Sequence, residues 1–369
     1  MFQTYFVYGT TFLLMMLCAW FSQRRVSLKK HLSKESLGIE MILCIGIFTI
    51  VFGLRYDVGV DYLNYLNIYQ FLDIDRFEPL FKWLVYVLSS NNIHYCFFFS
   101  ILAFLQIYFF ISAFKSEKYL YPALVYVLFC GQYFLLWMNV IRQDLAACIF
   151  IFSLTYIIQR KFYLYFIWCL VATCFHKSAI LLLLLYPFLC TGRDYFKNRL
   201  ISYILYFIAL LFVFLQINLL SIFESELVNF VAFANLDEYA FMDFEDNFQA
   251  RDFGFSLLSS VFVDILIIFY SKRLKDYYNT KKFILCYNLY MFGTIVNMLV
   301  LNSFLLARPF RYFRYFKLIA AAYLLYYLFK NGNVSNTIIY LILIFLFLLM
   351  FLAIPFYSPD SKLLYNFVF

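Results

Sequence analysis

Four short polar clusters interrupt an otherwise apolar chain, and each combines residue types that can do chemistry. The most regular is Arg308-Pro309-Phe310-Arg311-Tyr312-Phe313-Arg314-Tyr315-Phe316-Lys317. Cations at every third position drift by about 60° per step around a helix of 3.6 residues per turn, so they form one wide basic stripe. Pro309 suits the first turn of such a helix. Arginines at the end of a span that then turns wholly apolar are costly unless an anion answers them. Their forked donors bind phosphate oxygens two at a time, and a pyrophosphate is a fitting partner; anchoring among lipid headgroups is the simpler alternative.

The second cluster runs Arg55-Tyr56-Asp57-Val58-Gly59-Val60-Asp61-Tyr62, continues through Asn64-Tyr65, and has Glu78-Pro79 further on. Gly59 permits a turn that could aim Asp57 and Asp61 at one point. Carboxylates beside a guanidinium favour the ionised form, which suits a base or an acceptor for sugar hydroxyls. An interfacial salt-bridge network that fixes the loop is the competing reading. The third cluster, Asn139-Val140-Ile141-Arg142-Gln143-Asp144, puts an arginine among apolar neighbours, either at a functional site or paired with Asp144. The fourth is Phe175-His176-Lys177-Ser178 in a tight turn. His176 is the one histidine of three that falls among these clusters, and it can serve as a general base near neutral pH or as a structural residue.

What must position these residues is a membrane. Of 369 residues, 65% are hydrophobic and 14% charged, with a mean hydropathy of +0.82. Soluble domains are nearer half apolar and a quarter charged. That excludes a soluble Rossmann or barrel enzyme, a disulfide scaffold and a disordered protein. Residues 341–354 run apolar without the alternation of barrel strands, which excludes an outer-membrane barrel. The nine cysteines show no CxxC spacing and no partnership with histidine, so no metal site is expected. The fold expected is an all-α polytopic membrane protein of about 12 transmembrane helices. Their approximate positions are 4–21, 37–54, 93–114, 119–138, 143–158, 162–176, 178–190, 201–223, 255–270, 283–302, 309–329 and 334–354. The stretch 79–92 is too short to cross and reads as a helix on the outer face.

The first apolar stretch has no basic residues before it and several after it, so it reads as a retained span with its start outside. The loops 22–36, 115–118, 159–161, 191–200, 271–282 and 330–333 hold 18 of the 29 Lys and Arg, as the positive-inside rule requires of cytoplasmic loops. The net charge of +8 therefore belongs largely to anchoring and does not point to nucleic acid. Residues 1–369 read as a single membrane domain, with external loops 55–92 and 224–254 as the substrate face. The second of these is acidic, with eight carboxylates against Arg251. Asp264, in mid-span, is either a partner for the arginine stripe or a buried neutral acid.

In their order, these clusters resemble the EpsG-like branch of the Wzy polysaccharide polymerases, which assemble O-antigen, capsule and exopolysaccharide. The matching pieces are Arg55-x3-Gly59-x-Asp61-Tyr62-x2-Tyr65 with Glu78-Pro79, Ile141-Arg142-Gln143-x-Leu145-Ala146, Phe175-His176-x-Ser178-Ala179, and Arg308-x2-Arg311-Tyr312-Phe313. The resemblance implies a GT-C-like glycosyltransferase in the bacterial inner membrane with its active site facing the periplasm or exterior. Such an enzyme moves a growing glycan from undecaprenyl pyrophosphate to a hydroxyl of a newly flipped lipid-linked repeat unit. Arg308, Arg311 and Arg314, with Arg142 or Arg55, would then stabilise the leaving pyrophosphate. His176 ranks first as the base, then Asp61 or Asp57; the extra acid Asp57 leaves the choice of carboxylate open. Tyr62, Tyr65, Tyr312 and Glu78 would hold sugars. No cofactor and no metal is implied. The partners implied are the lipid-linked oligosaccharide, membrane lipid and a chain-length regulator of the Wzz type. Two alternatives share these features. A lipid-linked oligosaccharide flippase would need cations along both halves of a central path, and an O-antigen ligase would differ in its acceptor.

Overall fold

A computed structural model describes residues 2–28, 37–217, 254–302, 307–356 and 362–367. The acidic loop expected at 224–254 lies, but for Gly254, outside the described residues. Those residues form helices and no strands, with one isolated antiparallel bridge between Arg55 and Phe367. The chain is thus an all-α multi-pass membrane protein. Among the described residues, six helices are long and apolar enough to span a bilayer: 2–25, Tyr95–Ala113, Ile141–Ile158, Phe255–Tyr278, Lys281–Leu299 and Val334–Leu352. A seventh candidate is a pair bent by 63°, Lys118–Cys130 with Tyr133–Asn139.

The other expected spans are, where described, helical but short or irregular. Ile39–Gly53, Phe162–Thr173, Lys177–Leu189 and Arg199–Phe214 are shorter apolar helices. The third of these is a 3-10 helix over Lys177–Leu185 before a single α turn, and residues Arg308–Phe313 are 3-10 as well.

Contacts divide the chain into two compact units, Met1–Gly192 with Ala321–Phe369, and Arg193–Ala320. In the first, α1 (Phe2–Leu28) packs on α2 (Ile39–Gly53), α2 on α5 (Tyr95–Ala113), α5 on α8 (Ile141–Ile158), and α8 on α9 (Phe162–Thr173). Between α2 and α5 lie α3 (Tyr62–Phe71) and α4 (Pro79–Ser90). Twelve residues make α4 about 18 Å long, too short to cross a bilayer core of ~30 Å. It buries Phe81, Leu84, Val85 and Leu88 and exposes Trp83 and Tyr86, the two-faced pattern of a helix lying on a surface.

Next come α6 (Tyr121–Cys130) and α7 (Tyr133–Asn139). The bend between them is built at Gly131 and Gln132. A Cβ on Gly131 would lie 2.5 Å from the Val127 carbonyl oxygen, and Gln132 takes the left-handed conformation at φ 62°. Breaking a helix inside a bundle leaves carbonyls to satisfy. Gln106 of α5 does this at the next break, between α7 and α8, its Nε2 donating to the carbonyls of Trp137 (3.1 Å) and Ile141 (3.2 Å).

Tyrosines make similar ties within this unit. Half-buried Tyr126 donates to the Ile344 carbonyl at 2.6 Å and buried Tyr165 to that of Leu182 at 2.5 Å, the hydroxyl in each spent on a neighbouring segment. Leu13 and Leu14 of α1 and Leu341 and Phe345 of α15 (Val334–Leu352) stay exposed, the surface that lipid must cover. The short helix before residue 193, Tyr186–Leu189, is α10.

In the second unit, α11 (Arg199–Phe214) and α12 (Phe255–Tyr278) pack with α13 (Lys281–Leu299). The 3-10 turn Arg308–Phe313 lies against α13 and leads into α14 (Arg314–Lys330). Gly293 allows the approach, because a Cβ there would sit 2.3 Å from that of Phe313.

Candidate functional site

Within the first unit, three of the four polar clusters come together around the bent α6–α7 pair. The loop after α2 is pressed onto the end of α7. Gly59 has φ +99°, and a Cβ there would lie 2.8 Å from the Met138 carbonyl oxygen, so glycine is required twice over. One residue on, Asn139 Oδ1 accepts the Asp61 amide at 3.0 Å. Both Asn139 and Asp61 stood in the sequence clusters; their meeting was not readable there.

Arg142, in the first turn of α8, donates to Glu78, which precedes α4. Its guanidinium lies 4.5 Å from the Phe77 ring centre and 5.3 Å from that of Phe81, so the charge is flanked by aromatic faces. Tyr65 of α3 is within electrostatic reach of the same Arg142. Burial raises the Tyr65 phenol above its ordinary pKa while the arginine pulls the other way; the net shift is upward, so the group stays a neutral hydroxyl. The second Glu78 oxygen accepts the backbone N–H of Lys177 at 2.9 Å. Leu80 N–H donates to the Cys174 carbonyl at 3.0 Å, so α4 is sewn to the turn that carries His176. There His176 Nδ1 and Ser178 Oγ are 3.0 Å apart. Glu78 thus joins Arg142 to the Lys177 amide, one peptide unit from His176.

The other residues of the first cluster are used inside the fold. Arg55 is buried at 3% exposure, donates to the carbonyls of Phe52 and Met138, and faces the rings of Phe99 and Tyr62. Tyr62 is wholly buried, stacked on Phe99 at 4.5 Å, with its hydroxyl on the Arg55 carbonyl at 2.9 Å. Their position joins α2 to the α7–α8 junction rather than opening to a sugar. Asp57 forms a 2.8 Å ion pair with Lys362. Residues 362–367 strap this loop further: Gly59 N–H donates to the Lys362 carbonyl at 2.8 Å and Tyr56 N–H to that of Asn366 at 2.9 Å. On the exposed rim, Lys82 holds the Asp75 carboxyl below its ordinary pKa at 2.9 Å.

The basic stripe belongs to the second unit, and its geometry differs from the expected α-helix. Over Arg308–Phe313 the chain is 3-10, with three residues per turn, so Arg308 and Arg311 eclipse and Arg314 follows at the start of α14. The spread stripe becomes a narrow line. Tyr312 is buried between these cations in sequence and contributes packing. The next cation in the series, Lys317, settles the alternative left open for Asp264. Asp264 is fully buried and pairs with Lys317 at 2.7 Å, with Tyr290 (3.0 Å) and Tyr206 (3.3 Å) also donating to it. Lys317 further donates to the Ser260 carbonyl at 2.9 Å. Among the described residues no three His, Cys, Asp or Glu side chains gather as a metal-binding group.

A multi-pass helical membrane protein with an Arg–Glu pair at the turn that carries a histidine, and with a line of arginines at the head of a late helix, is the class these features define. A family model described as the EpsG family matches residues 39–368, and the chain belongs to that family, the EpsG-like, Wzy-type polysaccharide polymerases. No curated protein and no solved structure matches it.

Proposed function

We propose that this protein is a membrane glycosyltransferase that polymerises undecaprenyl-pyrophosphate-linked repeat units into surface polysaccharide on the outer face of the bacterial inner membrane. The observation that carries the reading is Glu78, which joins Arg142 to the Lys177 amide, 99 positions away and next to His176, within a chain of this family.

Each unit supports a capability the reaction needs. Transfer breaks the bond between the donor sugar and pyrophosphate, so negative charge grows on the leaving oxygen. The eclipsed Arg308 and Arg311, with Arg314, suit that charge, because preorganised donors stabilise it without reorganising. The acceptor hydroxyl must lose its proton as its oxygen bonds to the sugar. His176 fits this role, its ring oriented by the 3.0 Å contact between Nδ1 and Ser178 Oγ. Arg142 and Glu78 hold the His176 turn and offer polar groups to a sugar; Asp61, at the start of α3, is the alternative base. This chemistry asks nothing of a cofactor or metal. A GT-C-like ancestry and a chain-length regulator of the Wzz type are parts of the same reading.

The test is glycan length on gels from cells lacking the native protein. Wild type is expected to restore a ladder, whereas Arg311→Ala or His176→Ala, at matched protein level, leaves only lipid-linked single repeats. Equal ladders with and without the protein would remove the polymerase reading and favour transport or another transfer.

A further inference from the structure

The end of the first unit that carries residues 22–28, 115–118 and 330–333 contains a groove that the proposed reaction does not use. It has a volume of about 660 Å³ and is lined by α1, the start of α6, the last turns of α14, and α15. Its walls are largely aromatic and aliphatic, and two cations, Arg24 and Lys330, stand in it with no carboxylate among the lining residues. The Arg24 guanidinium lies 3.8 Å over the Trp20 ring, and the Lys330 ammonium is 5.7 Å from that of Phe329.

Neither cation makes an ion pair among the described residues, whereas the adjacent Arg25 is answered by Glu40 at 2.9 Å. The nearby carboxylate in sequence, Glu117, is buried and accepts from Tyr119 and Tyr323. A slot with an apolar aromatic lining and two unanswered cations is complementary to an amphiphile with an anionic head. A stacked guanidinium keeps its N–H fork for phosphate oxygens. The groove is of ligand size, and the loops around it are those the charge distribution assigns to one membrane face, where headgroups lie.

We propose that this groove binds an anionic glycerophospholipid of that leaflet, its phosphate held by Arg24 and Lys330 and an acyl chain lying along Trp20 and Phe329. The site is independent of the polymerase reading. Trp20 supplies the reporter, as one of only four tryptophans. The full chain in non-ionic detergent would be titrated with phosphatidylglycerol or phosphatidylcholine carrying brominated acyl chains, following tryptophan fluorescence. Phosphatidylglycerol is expected to quench at a roughly ten- to thirty-fold lower concentration, the contribution of two cations near a lipid surface. Trp20→Phe should abolish that lipid-specific quenching, and Arg24→Gln with Lys330→Gln should bring the two lipids together. Equal quenching by both lipids in the wild type, or a phosphatidylglycerol preference that survives in Trp20→Phe, would overturn the proposal. So would displacement by inorganic phosphate at matched concentration, which would mark a free-anion site.

Discussion

Glu78 has both carboxylate oxygens committed, one to Arg142 and one to the Lys177 amide, so the two substitutions that separate charge from shape are informative. Glu78→Gln keeps an acceptor for the amide but removes the counter-charge, and Arg142→Lys keeps charge but cannot serve Glu78, Tyr65 and two aromatic faces together. Each is expected to lower polymer yield about 10²-fold, the scale of losing one charge-stabilising group in an active site. Quantified product from membranes with matched protein level checks this, and a wild-type rate for Arg142→Lys would take Arg142 out of the site. Gly59→Ala is expected to destabilise the protein by about 1–3 kcal/mol, since it adds a Cβ at positive φ against the Met138 carbonyl. Thermal unfolding of the purified protein in detergent measures it. The residue types of the site were legible in the sequence as polar islands in apolar surroundings. Their pairing was not, because Glu78 and Arg142 lie 64 positions apart and either could have been answered locally, the arginine by Asp144.

At the scale of elements, two departures from the plain α-helix arrange the chemistry. Residues 119–138 read as one apolar span because hydropathy carries no record of a dihedral angle. The left-handed Gln132 nevertheless bends the pair and brings α7 under the loop at 55–61. In the same way, the spacing of Arg308, Arg311 and Arg314 was legible while the 3-10 winding that aligns the first two was not. The short helix at 79–90 was legible, since its length and its Pro start are local properties.

The Asp264–Lys317 pair gives a prediction at this scale. Asp264→Asn or Lys317→Met alone leaves a buried partner without its counter-charge and should cost about 3–5 kcal/mol. The double variant Asp264→Leu with Lys317→Met should lose far less than the sum. A double-mutant cycle on unfolding in detergent decides, and additive losses would show that the pair is not coupled.

For the whole molecule, the apolar surface that α1 and α15 leave exposed explains why composition announced a membrane protein before any motif was read. The number of crossings was less legible, because short apolar helices and true spans look alike when only hydropathy is counted. The proposed chemistry rests on arginine rather than a divalent ion. Polymer synthesis from purified components is therefore expected to survive EDTA, measured as ladder intensity with and without chelator; its loss would show that a metal carries the charge instead.

The strap formed by residues 362–367 has a consequence in time as well as in space. It pairs with residues made some three hundred positions earlier, closing on Asp57, Tyr56 and Gly59 through Lys362 and Asn366. A ribosome delivers the first loop long before the segment that fastens it. The early part of the site must therefore wait, without its strap, through the insertion of every later helix. A translation product interrupted before residue 362 would reach the membrane with this loop held by α7 alone, without the Lys362–Asp57 ion pair and the two backbone hydrogen bonds.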